Sequence, residues 1–431
     1  MKAYKVGAAL LLSAALIPTA SYGADLGGDC CADLEERVAE LEATTARKGN
    51  RKVSLTIYGQ VNEAIGVWDD GFETNTYQFT NDTSRTRFGF KGKAKINSDW
   101  YAKFKIEIGL RSADQGDLTA DNDDGSGGEF DLRKAEWTIG SKTYGSLTVG
   151  EASFATDGVT QTQIANIKHF ANPDIFDAND EFDIRQSGTG ANVIEWGDAV
   201  TVLEPGEGSR GNLVRYNSPT FAGFALSAHW GEDDIWGVAL RYATEFQGFK
   251  LAAAVGYGEA TERDEECIDD GNVGGVDAHC REIGLSASIK HTPSGLFATG
   301  AYGFREDDGK EAALRAQNVA NFDSDNEFYH FQVGIEQKWS SLGKTTVFGG
   351  YAERFAGTPA GSTGGTFEFD GSTITNVDVE YFEIGANQQI SAAAMDIYIH
   401  YKYYDADITT TAGAVSTEEW QTVIGGARIK F

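Results

Sequence analysis

Apolar and polar positions alternate through most of this chain. In the last segment, Val423, Gly425, Ala427, Ile429 and Phe431 share one face, and Thr422, Gly426, Arg428 and Lys430 share the other. A period of two is the signature of a β-strand. The same alternation recurs upstream. Thr86, Phe88, Phe90, Ala94 and Ile96 oppose Arg85, Arg87, Lys91, Lys93 and Lys95. Trp100, Ala102, Phe104, Ile106, Ile108 and Leu110 oppose Lys103, Lys105 and Glu107. Ile283, Leu285, Ala287 and Ile289 oppose Ser286, Ser288 and Lys290, and Tyr329, Phe331, Val333 and Ile335 oppose His330, Gln332 and Glu336. The pattern predicts sixteen strands, near 52–68, 83–97, 99–112, 129–140, 144–151, 211–218, 222–231, 235–246, 248–259, 281–291, 296–306, 326–339, 343–355, 377–390, 393–407 and 419–431. Short connections such as Ser218–Phe221 and Gln247-Gly248 alternate with long polar ones such as 114–128, 259–280 and 307–326.

An even number of strands, aromatics at the ends of the apolar faces, and alternating short turns and long loops predict an all-β fold. Specifically, they predict a 16-stranded antiparallel transmembrane β-barrel with lipid outside and water inside. A soluble sheet would show the alternation but gives no reason for an apolar-faced strand to end on an aromatic at the last residue. Composition agrees. With 52 Gly and 50 aromatic residues (17 Tyr, 25 Phe, 8 Trp) but only 2 Met, the chain does not suit a helical membrane protein. A formal charge of −29 argues against nucleic acid and anionic lipid surfaces as partners.

The N-terminus predicts export. Lys2 and Lys5 precede an apolar run, 7–17, which Pro18 breaks, and small residues at Ser21 and Gly23 fit a cleavage site after residue 23. Loss of those two lysines takes the charge from −29 to −31. Residues 24–51 form a leader with one short helix. Asp33 and Glu36 make a capping box, Leu34, Val38, Leu41 and Thr45 form a two-heptad seam, and Gly49 ends it. The helix is either a frayed periplasmic leader or a short stalk that associates across a trimer. Four cysteines fit an oxidising compartment. Cys267 and Cys280 are expected to close one loop as a disulfide. The adjacent Cys30 and Cys31 are poorly placed to bridge each other and could link subunits. His279 beside Cys280 lacks enough partners for a metal site, and Asp121–Gly125 does not match a calcium loop. No metal and no cofactor are expected.

From 152 to 210 the strand pattern lapses, and a structureless segment of that length calls for a functional reason. The flanking residues supply a family. Tyr144-Gly-Ser-Leu-Thr-Val-Gly150 resembles the strand that leads into the constriction loop of general porins. Arg210-Gly-Asn-Leu-Val-Arg-Tyr-Asn-Ser-Pro-Thr-Phe-Ala-Gly-Phe224 resembles their sixth strand, turn and seventh strand. The leader 29–42 resembles the start of mature alphaproteobacterial, rhizobial-type porins, and the terminal Phe431 fits as well. This resemblance implies an outer-membrane homotrimer of water-filled barrels passing small hydrophilic solutes. It also implies outer-membrane lipid and lipopolysaccharide as surroundings, the barrel-assembly machinery as partner, and Phe431 as the recognition end. It further implies that 152–210 folds inward as the constriction loop. Asn172–Asp180 departs from the enterobacterial loop motif, so eyelet residues do not transfer by motif.

Rings of charge in a narrow passage set selectivity by sign and diameter. The expected wall cations are Arg85, Arg87, Lys105, Arg111, Arg133 and Arg215. All but Arg133 lie opposite an apolar face, and Arg133 has the parity of Trp137 and Ile139, which places it at a barrel end or a bulge. The expected opposing acids are Asp174, Asp177, Asp180, Glu181 and Asp183. The overall charge predicts a mild cation preference, which the basic wall opposes. A solute-specific channel would show an aromatic track along the lumen, and none is visible in the sequence. An enzyme would need a nucleophile with a base, and the six histidines fall far apart with no partnered serine or cysteine motif. A secreted acidic adhesin would explain the signal and the β-content but not the terminal strand.

Overall fold

The computed structural model describes residues 52–123, 125, 128–173, 179–200, 202, 204–261, 279–319, 321–361 and 365–431. The export signal, the leader helix, Cys30, Cys31, Asp174, Asp177 and Cys267 lie outside the described residues. Sixteen antiparallel strands form a closed barrel. In chain order they are β1 (Ser54–Asp69), β2 (Arg87–Lys95), β3 (Trp100–Arg111), β4 (Glu129–Ser141), β5 (Gly145–Ser153), β6 (Arg210–Asn217), β7 (Phe224–Gly231) and β8 (Trp236–Phe246). They continue with β9 (Phe249–Ala260), β10 (Cys280–His291), β11 (Leu296–Asp307), β12 (Asn326–Gln337), β13 (Thr345–Gly357), β14 (Ser372–Ile390), β15 (Met395–Thr410) and β16 (Trp420–Lys430). Each pairs with the next, and β16 pairs with β1 from Gln60 opposite Lys430 to Asp69 opposite Gln421. Phe431 finishes the seam: its backbone N–H and C=O both bond to Gly59, at 3.1 and 3.0 Å. A Cβ on Gly59 would lie 2.5 Å from the Phe431 ring, so the ring needs a glycine beneath it.

The alternation reads directly as two faces. On β12, Val333 is 62% exposed on the outside, whereas His330 and Gln332 are 1% exposed inside. On β16, Val423, Ile429 and Phe431 are exposed, while Thr422 and Arg428 are buried. Apolar side chains on the outer face of a barrel meet lipid. Exposed aromatics gather at the short-turn end, including Trp100, Tyr144, Phe221, Phe246, Trp339 and Phe431, as an interfacial girdle requires. No described helix is long and apolar enough to cross a membrane.

Several elements escaped the period-two pattern. Strand Thr74–Thr80 extends β1 at the long-loop end as a hairpin, and its Tyr77 and Phe79 turn inward and are buried. The connection after β11 carries a helix, α1 (Asp308–Ala316), whose N-cap Asp307 accepts from the Lys310 N–H at 3.0 Å. Cys280 is disulfide-bonded.

The described parts of the segment 154–209 lie along the inner wall. They contain a small hairpin, Asp183–Arg185 with Asn192–Glu195, and a helical turn, Trp196–Ala199. Inward-facing side chains hold its backbone. Arg241 on β8 donates to the Asp157 carbonyl (2.6 Å), Ser286 on β10 to that of Val159 (2.6 Å) and Asn387 on β14 to that of Asn166 (2.8 Å). Asn166 in turn donates its N–H to Glu336 (2.8 Å) and its side-chain amide to Asp396 (2.6 Å). The backbone also presses on the wall: a Cβ on Gly303 or Gly284 would overlap the carbonyl oxygen of Pro205 or Gly206.

Apolar packing completes the attachment. Phe170 stacks on Tyr398 with centroids 4.6 Å apart, Phe182 meets Trp68 edge-on at 4.7 Å, and Trp196 lies 5.8 Å from Tyr404. These residues belong to one buried cluster with Ile167, Ile194, Trp420 and Ile424. The segment thus shares a hydrophobic core with the inner wall of the barrel. Such a core offsets the cost of ordering a long connection.

Candidate functional site

With the loop against β8–β15, the opposite wall is left open to water. A cavity of about 1180 Å³ lies between them. Arg85, Arg87, Lys105, Arg111 and Arg133 line it. Strand register explains their grouping. Arg87 on β2 stands opposite Gly109, and Lys105 on β3 stands opposite Lys91, so these side chains project into the lumen from neighbouring strands. Arg133 reaches the same face because β4 bulges there. Glu107 pairs with Lys134 and Ile108 with Leu132, which leaves Arg133 as the extra residue.

Each cation has a carboxylate beside it. Arg85 bridges Asp131 (2.5 Å) and Asp82 (3.1 Å), and Arg111 bridges Asp82 (2.6 Å) and Asp114. Glu107 sits among Lys105 (2.9 Å), Arg133 (3.2 Å) and Arg87 (4.0 Å), and accepts from the Tyr58 hydroxyl at 2.9 Å. Interlocked pairs hold the long side chains flat against the wall and fix the bore. Arg215 shares their inward parity but does not reach the passage; its guanidinium donates to the Ser153 carbonyl.

On the loop side, Asp180 and Glu181 line the cavity. Asp183 does not. It lies in the small hairpin and accepts from Asn192 at 2.6 Å. The lining acids that the sequence left unmarked are Asp82, Glu107, Asp114, Asp117, Asp157, Glu204, Glu207 and Glu282, and the unmarked cations are Lys134, Lys168, Arg210, Arg305, Arg428 and Lys430. Of these, the lumen parity of Glu107, Arg428 and Lys430 was legible. Burial pushes the carboxyl groups of Asp114 and Glu181 up, with neighbouring acids adding to it for Glu181. Glu207 is pushed to about 7, burial outweighing the hydrogen bonds it accepts from Gly158 and Thr160. Burial drives His169 down to about 3, so it is neutral. Among the described residues, the lining carries eleven basic and ten acidic side chains. The overall acidity therefore does not extend into the passage, which removes the ground for a cation preference drawn from net charge.

Folding brings histidines together that the sequence separates. His330 and His400 each bond to Glu383 at 2.8 Å, with Gln332 donating to the same carboxylate at 2.9 Å. This group is buried and clamps β12, β14 and β15. His291 meets the Ser294 hydroxyl at 2.7 Å within a short turn. Among the described residues no carboxylate bonds to that imidazole, so there the pair lacks the third member of a nucleophile–base–orienter set. Among the described residues no group of three or more His, Cys, Asp or Glu side chains is placed to hold a metal ion. The inward aromatics Trp68, Tyr404 and Trp420 are buried against Phe182 and Trp196 of the loop.

Comparison with known proteins agrees with this architecture. No curated protein matches the sequence. Among solved structures, the anion-selective porin from Comamonas acidovorans superposes with a TM-score of 0.55 at 16% identity, covering 88% of this chain and 100% of that one. OmpT, an outer membrane protein of Vibrio cholerae, in its trimer form, gives 0.51 at 14%, covering 88% and 99%. OmpF of Salmonella typhi in complex with daunomycin gives 0.50 at 14%, covering 88% and 98%. At these identities the likeness is one of fold. The family model for Gram-negative porins matches residues 38–427, nearly the whole chain. This chain belongs to the Gram-negative porin family and forms an outer-membrane β-barrel channel for solute diffusion.

Proposed function

We propose that the protein is a general-diffusion porin of the alphaproteobacterial type that works as a homotrimer and carries out no catalysis. The observation that carries this reading is the open passage, bounded on one side by the cations of β2–β4 and on the other by the carboxylates of the inner loop. Opposed charges across a narrow, partly low-dielectric gap orient dipolar solutes and disfavour apolar ones. Segment 152–210 is the constriction loop in this reading, with Asp174 and Asp177 joining Asp180 and Glu181 on its acidic edge. Residues 1–23 are the export signal, and 24–51 form a periplasmic leader. Cys267 is the disulfide partner of Cys280, and lipopolysaccharide surrounds the outer end. Phe431 is the end that the assembly machinery recognises.

Planar-bilayer recording of the purified protein tests the reading. Conductance steps grouped in threes are expected, and their absence would refute it. Liposome swelling with sugars of graded size separates general diffusion from a solute-specific channel. A smooth fall with size is expected, and one sugar far above the trend would favour the specific channel.

A further inference from the structure

Below the passage, toward the short-turn end, the inner face of β2 and β3 is unusual. Register sets Lys91 directly opposite Lys105 and Lys93 directly opposite Lys103. Like charges directly opposed across two strands destabilise the pair. Here two successive inward-facing rungs carry that opposition. Lys105 is neutralised by Glu107 at 2.9 Å. Lys91, Lys93 and Lys103 are exposed to the lumen and have no ion-pair partner among the described residues. Two tyrosine rings hold them instead. Lys91 and Lys105 lie 4.7 and 5.5 Å from the centroid of Tyr58, and Lys93 and Lys103 lie 4.9 and 4.7 Å from that of Tyr101. A ring face attracts a cation without cancelling its charge. The ammonium groups of Lys91, Lys93 and Lys103 are thus positioned but not neutralised, and Lys105 stands beside them. They border an open cavity of about 300 Å³, with the Thr56 hydroxyl also on its lining and Glu136 the one acid there.

We propose that this cavity is a binding subsite for small, multiply charged oxyanions, such as inorganic phosphate, on the periplasmic side of the passage. The proposal rests on the channel reading above and adds a ligand class to it. Three unneutralised cations around one space favour a divalent anion over chloride. Lysine presents a compact point charge on a flexible stem, which suits a rounded oxyanion with no fixed bidentate geometry. The site is open and wet, so the ligand is held loosely enough to leave, as conduction requires. A bound anion also relieves the repulsion across the two lysine rungs.

The test is single-channel conductance in chloride, with phosphate substituted for chloride at constant ionic strength. For the unaltered protein, phosphate is expected to lower the chloride conductance along a saturating curve. In the double variant Lys93→Gln/Lys103→Gln the half-blocking concentration should rise at least tenfold. The unitary conductance in chloride alone should stay within about twofold, since these residues lie outside the passage. Heat stability should be equal or higher, because the like-charge opposition is gone. Steps of normal size with no saturating block, or a block unchanged in the double variant, would overturn the subsite and leave the porin reading standing. Absence of steps would overturn both.

Discussion

Single residues decide where this barrel begins, ends and changes its charge. Phe431 closes the sheet through two backbone bonds to Gly59 and covers that glycine with its ring. Deleting it should cut the yield of assembled protein several-fold while pores that do assemble keep their unitary conductance. Normal yield on a native gel would contradict its role. Glu207 is a lining residue whose charge should respond to pH near neutrality. Its carboxyl group is pushed to about 7 by burial, so it is mostly protonated at pH 6 and mostly ionised at pH 8. Because Glu207 lines the passage, raising the pH adds a negative charge there. The reversal potential should therefore shift toward cations between pH 6 and pH 8. Glu207→Gln should abolish that shift, and a shift that survives the substitution would remove Glu207 as its source. Neither Glu207 nor its role was readable from the pattern. Its shift comes from burial, which only the folded loop produces, and the bonds from Gly158 and Thr160 oppose it.

At the scale of elements, the strands and the inner loop were legible to different degrees. All sixteen strands lie within a few residues of their expected positions, except β14, which starts five residues earlier, at Ser372. Alternation is a local signal, and lipid on one side with water on the other enforces it along each strand. The inner loop has no period. It is held by contacts such as Asn166 with Asp396 and Phe170 with Tyr398, between residues more than two hundred positions apart. This gives the loop a measurable anchor. Phe170→Ala removes a ring that is only 1% exposed. It should cost about 3 kcal/mol of local stability. The expected outcome is noisier open-channel current with the barrel still folded. Quiet current at unchanged amplitude would show that the polar contacts alone hold the loop. The same distinction explains Arg215 and Asp183. Parity turned Arg215 inward, but the Ser153 carbonyl at the end of β5 holds it, and Asp183 was drawn away by the hairpin with Asn192.

For the whole molecule, the separation of charge matters more than its sum. The chain carries −29, yet among the described residues the lining of its passage is close to balanced. Charges on outer loops are screened within about 8–10 Å at physiological salt. The reversal potential in a tenfold potassium chloride gradient should therefore lie near zero at neutral pH. A value near the ideal cation limit would show that the outer acidity governs the pore. The sequence by itself determined the barrel, its sixteen strands, the face each strand turns to lipid, and the position of the long patternless segment 152–210. Those features follow from the partition of side chains between lipid and water, which each strand satisfies with its own residues. Only the tertiary structure decided which charges meet in the passage, what core holds the loop, and that Lys93 faces Lys103. Register and long-range packing set those outcomes. Both depend on which distant segments become neighbours when the terminal strand, ending at Phe431, closes against β1.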